Sequence, residues 1–207
     1  MNKIIICDVD DTIAQLSQDA TTLCNSLTKR NVHPNDWHTY DVETIFSLPQ
    51  EDYFNAAIKT KLLESLQPVY GAQDTLHGLC QSGYDVYYVT ARSWHPDAYN
   101  VTLEWLRFHR FPILRTAYQD CLHIVPLGCN KATYVKDNIN RDNVTIAVDD
   151  NPEQVKNYVE AKSGSKKLCD YTFLIDQPWN ASESDLNLYR VKHITQLANP
   201  FIYTKQT

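Results

Sequence analysis

Residues 3–12 read Lys-Ile-Ile-Ile-Cys-Asp-Val-Asp-Asp-Thr, an apolar run that closes in carboxylates. Ile4, Ile5 and Ile6 follow one another with no polar residue between them. Residues 3–9 therefore predict a strand buried on both faces, the pattern of a parallel sheet. The run is far too short for a signal peptide or a membrane span. Its acidic end brings Asp8 and Asp10 to one edge of the sheet.

Working outward, the same alternation recurs. Residues 74–80 predict a helical stretch closed by Gly83, and residues 84–89 a second buried strand. Residues 97–109 predict a helix whose apolar surface comes from Val101, Leu103, Trp105, Leu106 and Phe108. A third strand is expected at 112–116, a short helix at 131–139 and a strand at 144–148. A helix with proline in its first turn follows at 152–162, then an exposed loop at 162–167 and a final strand at 171–175. Strands alternating with helices argue for an α/β fold, doubly wound around a mostly parallel, Rossmann-like sheet. Such sheets bind ligands beyond the carboxyl ends of their strands.

One stretch breaks the alternation. Residues 14–68 hold no convincing strand, only helix-like segments at 21–29 and 51–66. They are expected to form a small helical cap inserted after the first strand, leaving 1–13 and 69–207 as the core domain.

Composition narrows the function classes. A formal charge of −6 argues against salt-sensitive binding along a nucleic-acid backbone, though a single phosphate needs only local positive charge. The six cysteines form no CxxC pair and no compact zinc spacing, so free thiols in a reducing cytoplasm are expected. The seven histidines do not cluster at ligand spacing.

The chemistry sits at strand ends. Asp8 and Asp10, one residue apart, can divide labour, one attacking phosphorus and the other handling the leaving-group proton. The second strand ends in Val89-Thr90-Ala91-Arg92, where a hydroxyl and a turn of amides can hold phosphate oxygens. Lys131 opens a helix, and the fourth strand ends in Asp149-Asp150-Asn151-Pro152, an oxygen-rich set suited to magnesium. Each piece alone has a structural reading. Aspartates cap helices, threonines pack, and lysines are usually solvated. The joint order of acid pair, threonine, lysine and acid pair carries the case.

That order resembles the four motifs of the haloacid dehalogenase superfamily: Asp8-x-Asp10-x-Thr12, Thr90, Lys131 and Asp149-Asp150. Residues 89–92, 149–152, 174–180 (Leu-Ile-Asp-Gln-Pro-Trp-Asn) and the segment from Arg190-Val191 are similar to the 5′(3′)-deoxyribonucleotidases. The resemblance implies a magnesium-dependent phosphomonoesterase with Asp8 as nucleophile and Asp10 as acid and base. Thr90 would hold phosphoryl oxygens and Lys131 would neutralise growing charge. Magnesium would be held by Asp8, the main-chain carbonyl of Asp10 and Asp149, with Asp150 in support. The chain departs from the pattern at Asp11, where many such nucleotidases have glycine, and at Ala91, which replaces a serine of some relatives.

Substrate contacts are expected from Thr12, Ala91, Arg92 and Trp94, the last two at the lip, and from the cap rings Trp37, Tyr40 and Phe46. Rings stacking on a nucleobase is one reading of the cap; a small core of its own is the other. The expected partner is a small phosphorylated substrate such as a nucleoside monophosphate, with no membrane partner. Two other readings stay open. A local strip of Arg92, Arg107, Arg110 and Arg115 would suit a 3′-phosphatase acting on nucleic-acid ends, as in the phosphatase domains of polynucleotide kinases. A catalytically silent nucleotide-binding scaffold would keep the fold without the reaction.

Overall fold

In the computed structural model, which describes residues 3–113, 120–139, 144–183 and 189–198, the isoleucine run forms the first strand. The first half of the chain gives β1 (Lys3–Cys7), α1 (Leu16–Thr28), α2 (Val42–Phe46), α3 (Gln50–Lys59), α4 (Leu62–Ser65), α5 (Ala72–Gln81), β2 (Tyr84–Thr90) and α6 (Ala98–Phe108). The second half gives β3 (Leu122–Ile124), α7 (Lys131–Asn138), β4 (Val144–Asp149), α8 (Pro152–Glu160), β5 (Lys162–Ser163), β6 (Lys166–Lys167), β7 (Cys169–Ile175) and β8 (Tyr189–Val191).

Six strands form one parallel sheet in the order β3-β2-β1-β4-β7-β8. Successive side chains on a strand point to opposite faces, and the core divides accordingly. Ile5 and Cys7 of β1 join Val86 and Tyr88 of β2 on one face, with Ala20, Leu76, Trp105 and Leu106 of the covering helices. Ile4 and Ile6 join Tyr87 and Val89 on the other, with Ala132 and Val135 of α7 and Tyr158 of α8. Helices thus cover both faces, which is why β1 has no polar face. The strand order reverses between β1 and β4, and the crevice beyond their carboxyl ends is where such sheets bind ligands.

Between β1 and β2 the described chain holds helices and isolated bridges but no strand. The outgoing and returning segments are tied where they leave the sheet. Val69 N donates to Ile13 O at 2.8 Å, and Gln15 donates from its main chain to Gln67 O and from its side chain to Pro68 O, both at 2.9 Å. From α6, Trp105 Nε1 donates to Leu66 O at 2.8 Å. The apolar core runs on into these helices, since Trp37, Phe46, Tyr53 and Leu63 belong to the same buried cluster as Ile5 and Cys7.

Four local expectations change. The stretch 51–66 is broken at Lys61, whose left-handed backbone (φ 55°) separates α3 from α4. The third strand is β3, paired to β2 from Tyr88↔Leu122 to Thr90↔Ile124. Pro112 and Ile113 lie outside any strand, and 114–116 falls outside the described residues. Phe111 instead packs on Trp105 and Tyr88, and the Tyr88 hydroxyl donates to Pro112 O at 2.9 Å. Residues 162–167 form a small antiparallel hairpin, β5–β6, turned at Gly164 (φ 62°). Finally, β8 extends the sheet beyond β7, which had read as the last strand.

Candidate active site

The end of β1 is prolonged by a bond from Asp8 N to Val148 O of β4 at 3.0 Å. This sets Asp8 and Asp149 side by side at the switch point. A tight turn follows, with Ile13 N and Ala14 N both donating to Val9 O and Asp11 in the left-handed region (φ 52°). A positive φ explains why glycine suits that position elsewhere. Asp11 compensates with its carboxylate, which accepts from Ser17 N at 2.9 Å and Ser17 Oγ at 2.8 Å and so anchors the start of α1.

Lys131 reaches the same point from the first residue of α7, whose N-cap Asn130 accepts from Thr133 N at 3.1 Å. Its ammonium bridges Asp8 Oδ1 at 2.5 Å and Asp149 Oδ2 at 2.8 Å, all three side chains being buried. The other Asp149 oxygen accepts from Asn151 N at 2.9 Å, and Asn151 in turn caps α8. Burial pushes the Asp8 carboxyl up to about 7, with Lys131 opposing the rise and Asp149 and Asp10 adding to it. Asp150 is held well above the usual carboxylate range, first by burial and then by Asp149 and Asp8. Burial alone would lower the Lys131 ammonium, but the carboxylates of Asp149 and Asp8 raise it on balance.

Asp8, Asp149 and Asp150 each offer a carboxylate oxygen, and these oxygens lie within 4.8 Å of one another. Lys131 pairs with two of these three buried carboxylates, Asp8 and Asp149. Such a donor set fits a small hard cation, which prefers oxygen ligands and would offset the crowded charge.

Thr90, fully buried, donates to Asp10 Oδ2 at 3.4 Å. The Thr12 hydroxyl is buried and has no hydrogen-bond partner among the described residues. Four expected substrate contacts are placed differently. Arg92 is fully buried, not at the lip, because its guanidinium is taken up by Asp10 and Thr102. Trp37 and Phe46 are buried against each other, with ring centroids 5.8 Å apart, in the core that runs on into the inserted helices. Trp94 packs flat on Phe54 of α3, at 4.5 Å and 6°. Tyr40 stays partly exposed, and Ala91 is exposed beside Thr90. The proposed arginine strip is not continuous: Arg92 is buried, and Arg115 lies outside the described residues.

The sequence model of the family described as 5′ nucleotidase, deoxy (pyrimidine), cytosolic type C protein matches residues 2–193. The chain belongs to that family. Two curated relatives are 5′(3′)-deoxyribonucleotidases, one from Bacillus subtilis and one from Bacillus phage SPbeta. Each is 27% identical to this 5′ nucleotidase family member over 114 residues, 55% of this chain and 64% of the relative. The match thus spans less than two thirds of their length. Among solved structures, a haloacid dehalogenase-like hydrolase from Streptococcus pneumoniae superposes with a TM-score of 0.58. That superposition covers 97% of this chain and 98% of the other at 14% identity, which speaks to fold alone. No helix among the described residues is long and apolar enough to cross a membrane.

In this family member the residues around Asp150 are those that sequence reasoning passed over. The 3-10 turn Pro178–Asn180 supplies Trp179 Nε1 to Asp150 Oδ2 at 3.2 Å and Asn180 Nδ2 to Asp150 O at 2.8 Å. Gln177 Nε2 donates to Asp11 O at 2.8 Å. The run 174–180 carries the family resemblance, but its partners, Asp150 and Asp11, lie far from it in sequence.

Proposed function

We propose that this chain is a magnesium-dependent phosphomonoesterase that dephosphorylates (deoxy)nucleoside monophosphates through an aspartyl-phosphate on Asp8. The observation that carries this reading is the Lys131 ammonium set between Asp8 and Asp149, with Asp150 alongside, at the sheet's switch point. Magnesium would be held by Asp8, Asp149 and the Asp10 carbonyl with Asp150 in support. Bound there, it supplies Lewis-acid charge stabilisation to the phosphoryl oxygens.

An Asp8 carboxylate oxygen bonds to phosphorus as the bond from phosphorus to the nucleoside oxygen breaks. Asp10 gives its proton to that leaving oxygen. A water then attacks the phosphorus, losing its proton to Asp10, and the Asp8–phosphorus bond breaks to release inorganic phosphate. Thr90, Thr12 and the amides after Thr90 hold the phosphoryl oxygens, and Lys131 offsets the charge gathered on them. Most of the work is positioning and charge stabilisation, as phosphoryl transfer requires. Helices α1–α4 act as the cap, with residues 14–68 as its bounds. The partly exposed rings of Phe54 and Trp94 are the ones available to a nucleobase. A reducing cytoplasm is the working compartment that suits six cysteines with no CxxC pair and no compact zinc spacing.

The test is phosphate release with magnesium and with EDTA, from wild type and Asp8→Asn. The substrates are 5′- and 3′-monophosphates of ribo- and deoxynucleosides, a sugar phosphate and an oligonucleotide ending in 3′-phosphate. Magnesium-dependent release from deoxynucleoside monophosphates, absent in the variant, is expected. Preference for the oligonucleotide would replace this substrate class with nucleic-acid ends, and activity surviving in Asp8→Asn would sink the mechanism.

A further inference from the structure

Tyr40 belongs to the inserted helical region, 110 residues away in sequence from Asp150. Its hydroxyl donates to the Asp150 main-chain carbonyl at 2.6 Å. The Tyr40 ring lies 5.2 Å from that of Trp179, and Trp37, also from the insertion, lies 6.0 Å from Trp179 on its other contact. Trp179 in turn donates its indole N–H to the Asp150 carboxylate at 3.2 Å, while Asn180 donates to the same carbonyl that Tyr40 caps. Asp150 is therefore held by three side chains. Two come from the turn after β7, and one comes from the cap.

We infer that Tyr40 is a positioning residue for Asp150, so that closure of the cap and occupation of the cation site are coupled through the Tyr40–Trp179–Asp150 contact. This rests on the cation site proposed above. Asp150 is buried among carboxylates that repel it, so its orientation must be imposed by neighbours. A cap contact that imposes it raises the affinity of the site for a cation. By linkage, a bound cation must then favour the closed cap by the same factor. The Tyr40 ring, expected at first to stack on a base, is instead spent on Trp179, and its one polar atom is spent on the main chain of a metal-site residue.

The test uses the full chain and Mg2+ alone, titrated calorimetrically into wild type, Tyr40→Phe and Trp179→Phe. Tyr40→Phe keeps the ring and its packing and removes only the donor. Each variant is expected to bind Mg2+ roughly fivefold more weakly, the factor that one hydrogen bond is worth. Hydrogen exchange supplies the second readout. In wild type, Mg2+ is expected to slow exchange across α1–α4, and in Tyr40→Phe that slowing should be largely lost. Lower thermal stability in the variants with unchanged Mg2+ affinity and unchanged Mg2+-dependent protection would reduce the contact to packing and overturn the inference. No Mg2+ binding by wild type would overturn the cation site itself, a failure readily told apart from the first.

Discussion

Arg92 grips the Asp10 carboxylate as a fork, with Nη2 2.6 Å from Oδ1 and Nε 2.9 Å from Oδ2. Its third nitrogen, Nη1, donates to Thr102 on α6 at 3.1 Å, so the guanidinium is itself fixed by the core. Arg92 has no exposed surface, whereas 22% of the Asp10 side chain remains accessible. A fork of this kind sets the plane of the carboxylate as well as its position. Asp10, the proposed proton donor to the leaving group, is thereby aimed from behind, and Thr90 touches its Oδ2 from the side.

Removing the fork should therefore damage proton transfer more than phosphoryl capture. Arg92→Gln is expected to lower nucleotide turnover by about a hundredfold, the size of a misaimed acid–base group. With p-nitrophenyl phosphate the leaving group needs no proton, so the initial burst of p-nitrophenolate should survive within about tenfold. Arg92→Lys should resemble Arg92→Gln, because an ammonium cannot make the bidentate contact. Equal losses on both substrates in rapid-mixing experiments would show that Arg92 does not act through Asp10.

Lys131 invites a stability prediction. It is the only basic side chain paired with Asp8 and Asp149 among the described residues, and it is buried with them. Lys131→Met strips that pairing and leaves crowded carboxylates in the interior, a loss of about 3–5 kcal/mol. For a chain of this size that is roughly 6–20 °C in melting temperature. Scanning calorimetry in EDTA should show the drop, and magnesium should recover part of it. An unchanged melting temperature would mean that the pair is not formed in solution.

The fold, and the gathering of Asp8, Thr90, Lys131 and Asp149 at one end of the sheet, were legible for one reason. Strands buried on both faces read as unbroken apolar runs, and in such a sheet the polar residue that ends a run lies at the ligand crevice. Asp8, Thr90 and Asp149 are all residues of this kind, and Lys131 opens the helix that runs beside them. Less legible was everything that depends on a partner distant in sequence. Arg92 follows a strand end and so read as a lip residue, because neither Asp10 nor Thr102 can be seen from position 92. The support of Asp150 by Trp179, Asn180 and Tyr40 is hidden in the same way. The strand β3, three residues long and paired to β2 alone among the described residues, carries too few apolar positions to stand out from the loop around it.

Asp11 offers a contest between backbone and side chain. Asp11→Gly keeps the left-handed turn and relieves the Cβ strain that it costs a non-glycine residue, about 1 kcal/mol. It also removes the carboxyl that holds Ser17 N and Ser17 Oγ, two bonds together worth about 2 kcal/mol. The side chain should win. Asp11→Gly is expected to melt a few degrees lower than wild type, roughly 2–4 °C for each kcal/mol lost. Asp11→Asn, which tolerates the same backbone and keeps an acceptor, should lose less. Denaturant unfolding of both variants checks the order, and a glycine variant more stable than wild type would reverse it.

Asp149 separates stability from function. Its carboxylate is engaged on both oxygens, by Lys131 and by Asn151 N, yet its charge also helps to push Asp8 and Asp150 upward. Asp149→Asn removes one of three mutually repelling carboxylates while Lys131 keeps Asp8. In EDTA the variant is therefore expected to melt no lower than wild type, since relief of repulsion offsets the weakened contact with Lys131. Magnesium should then divide the two proteins. At a concentration a hundred times its dissociation constant, a ligand stabilises the folded state by about 2.7 kcal/mol, or roughly 5–11 °C here. Wild type should show that rise and Asp149→Asn should not. If magnesium raised both melting temperatures equally, Asp149 would not be a ligand, and the cation would have to be sought away from the end of β4.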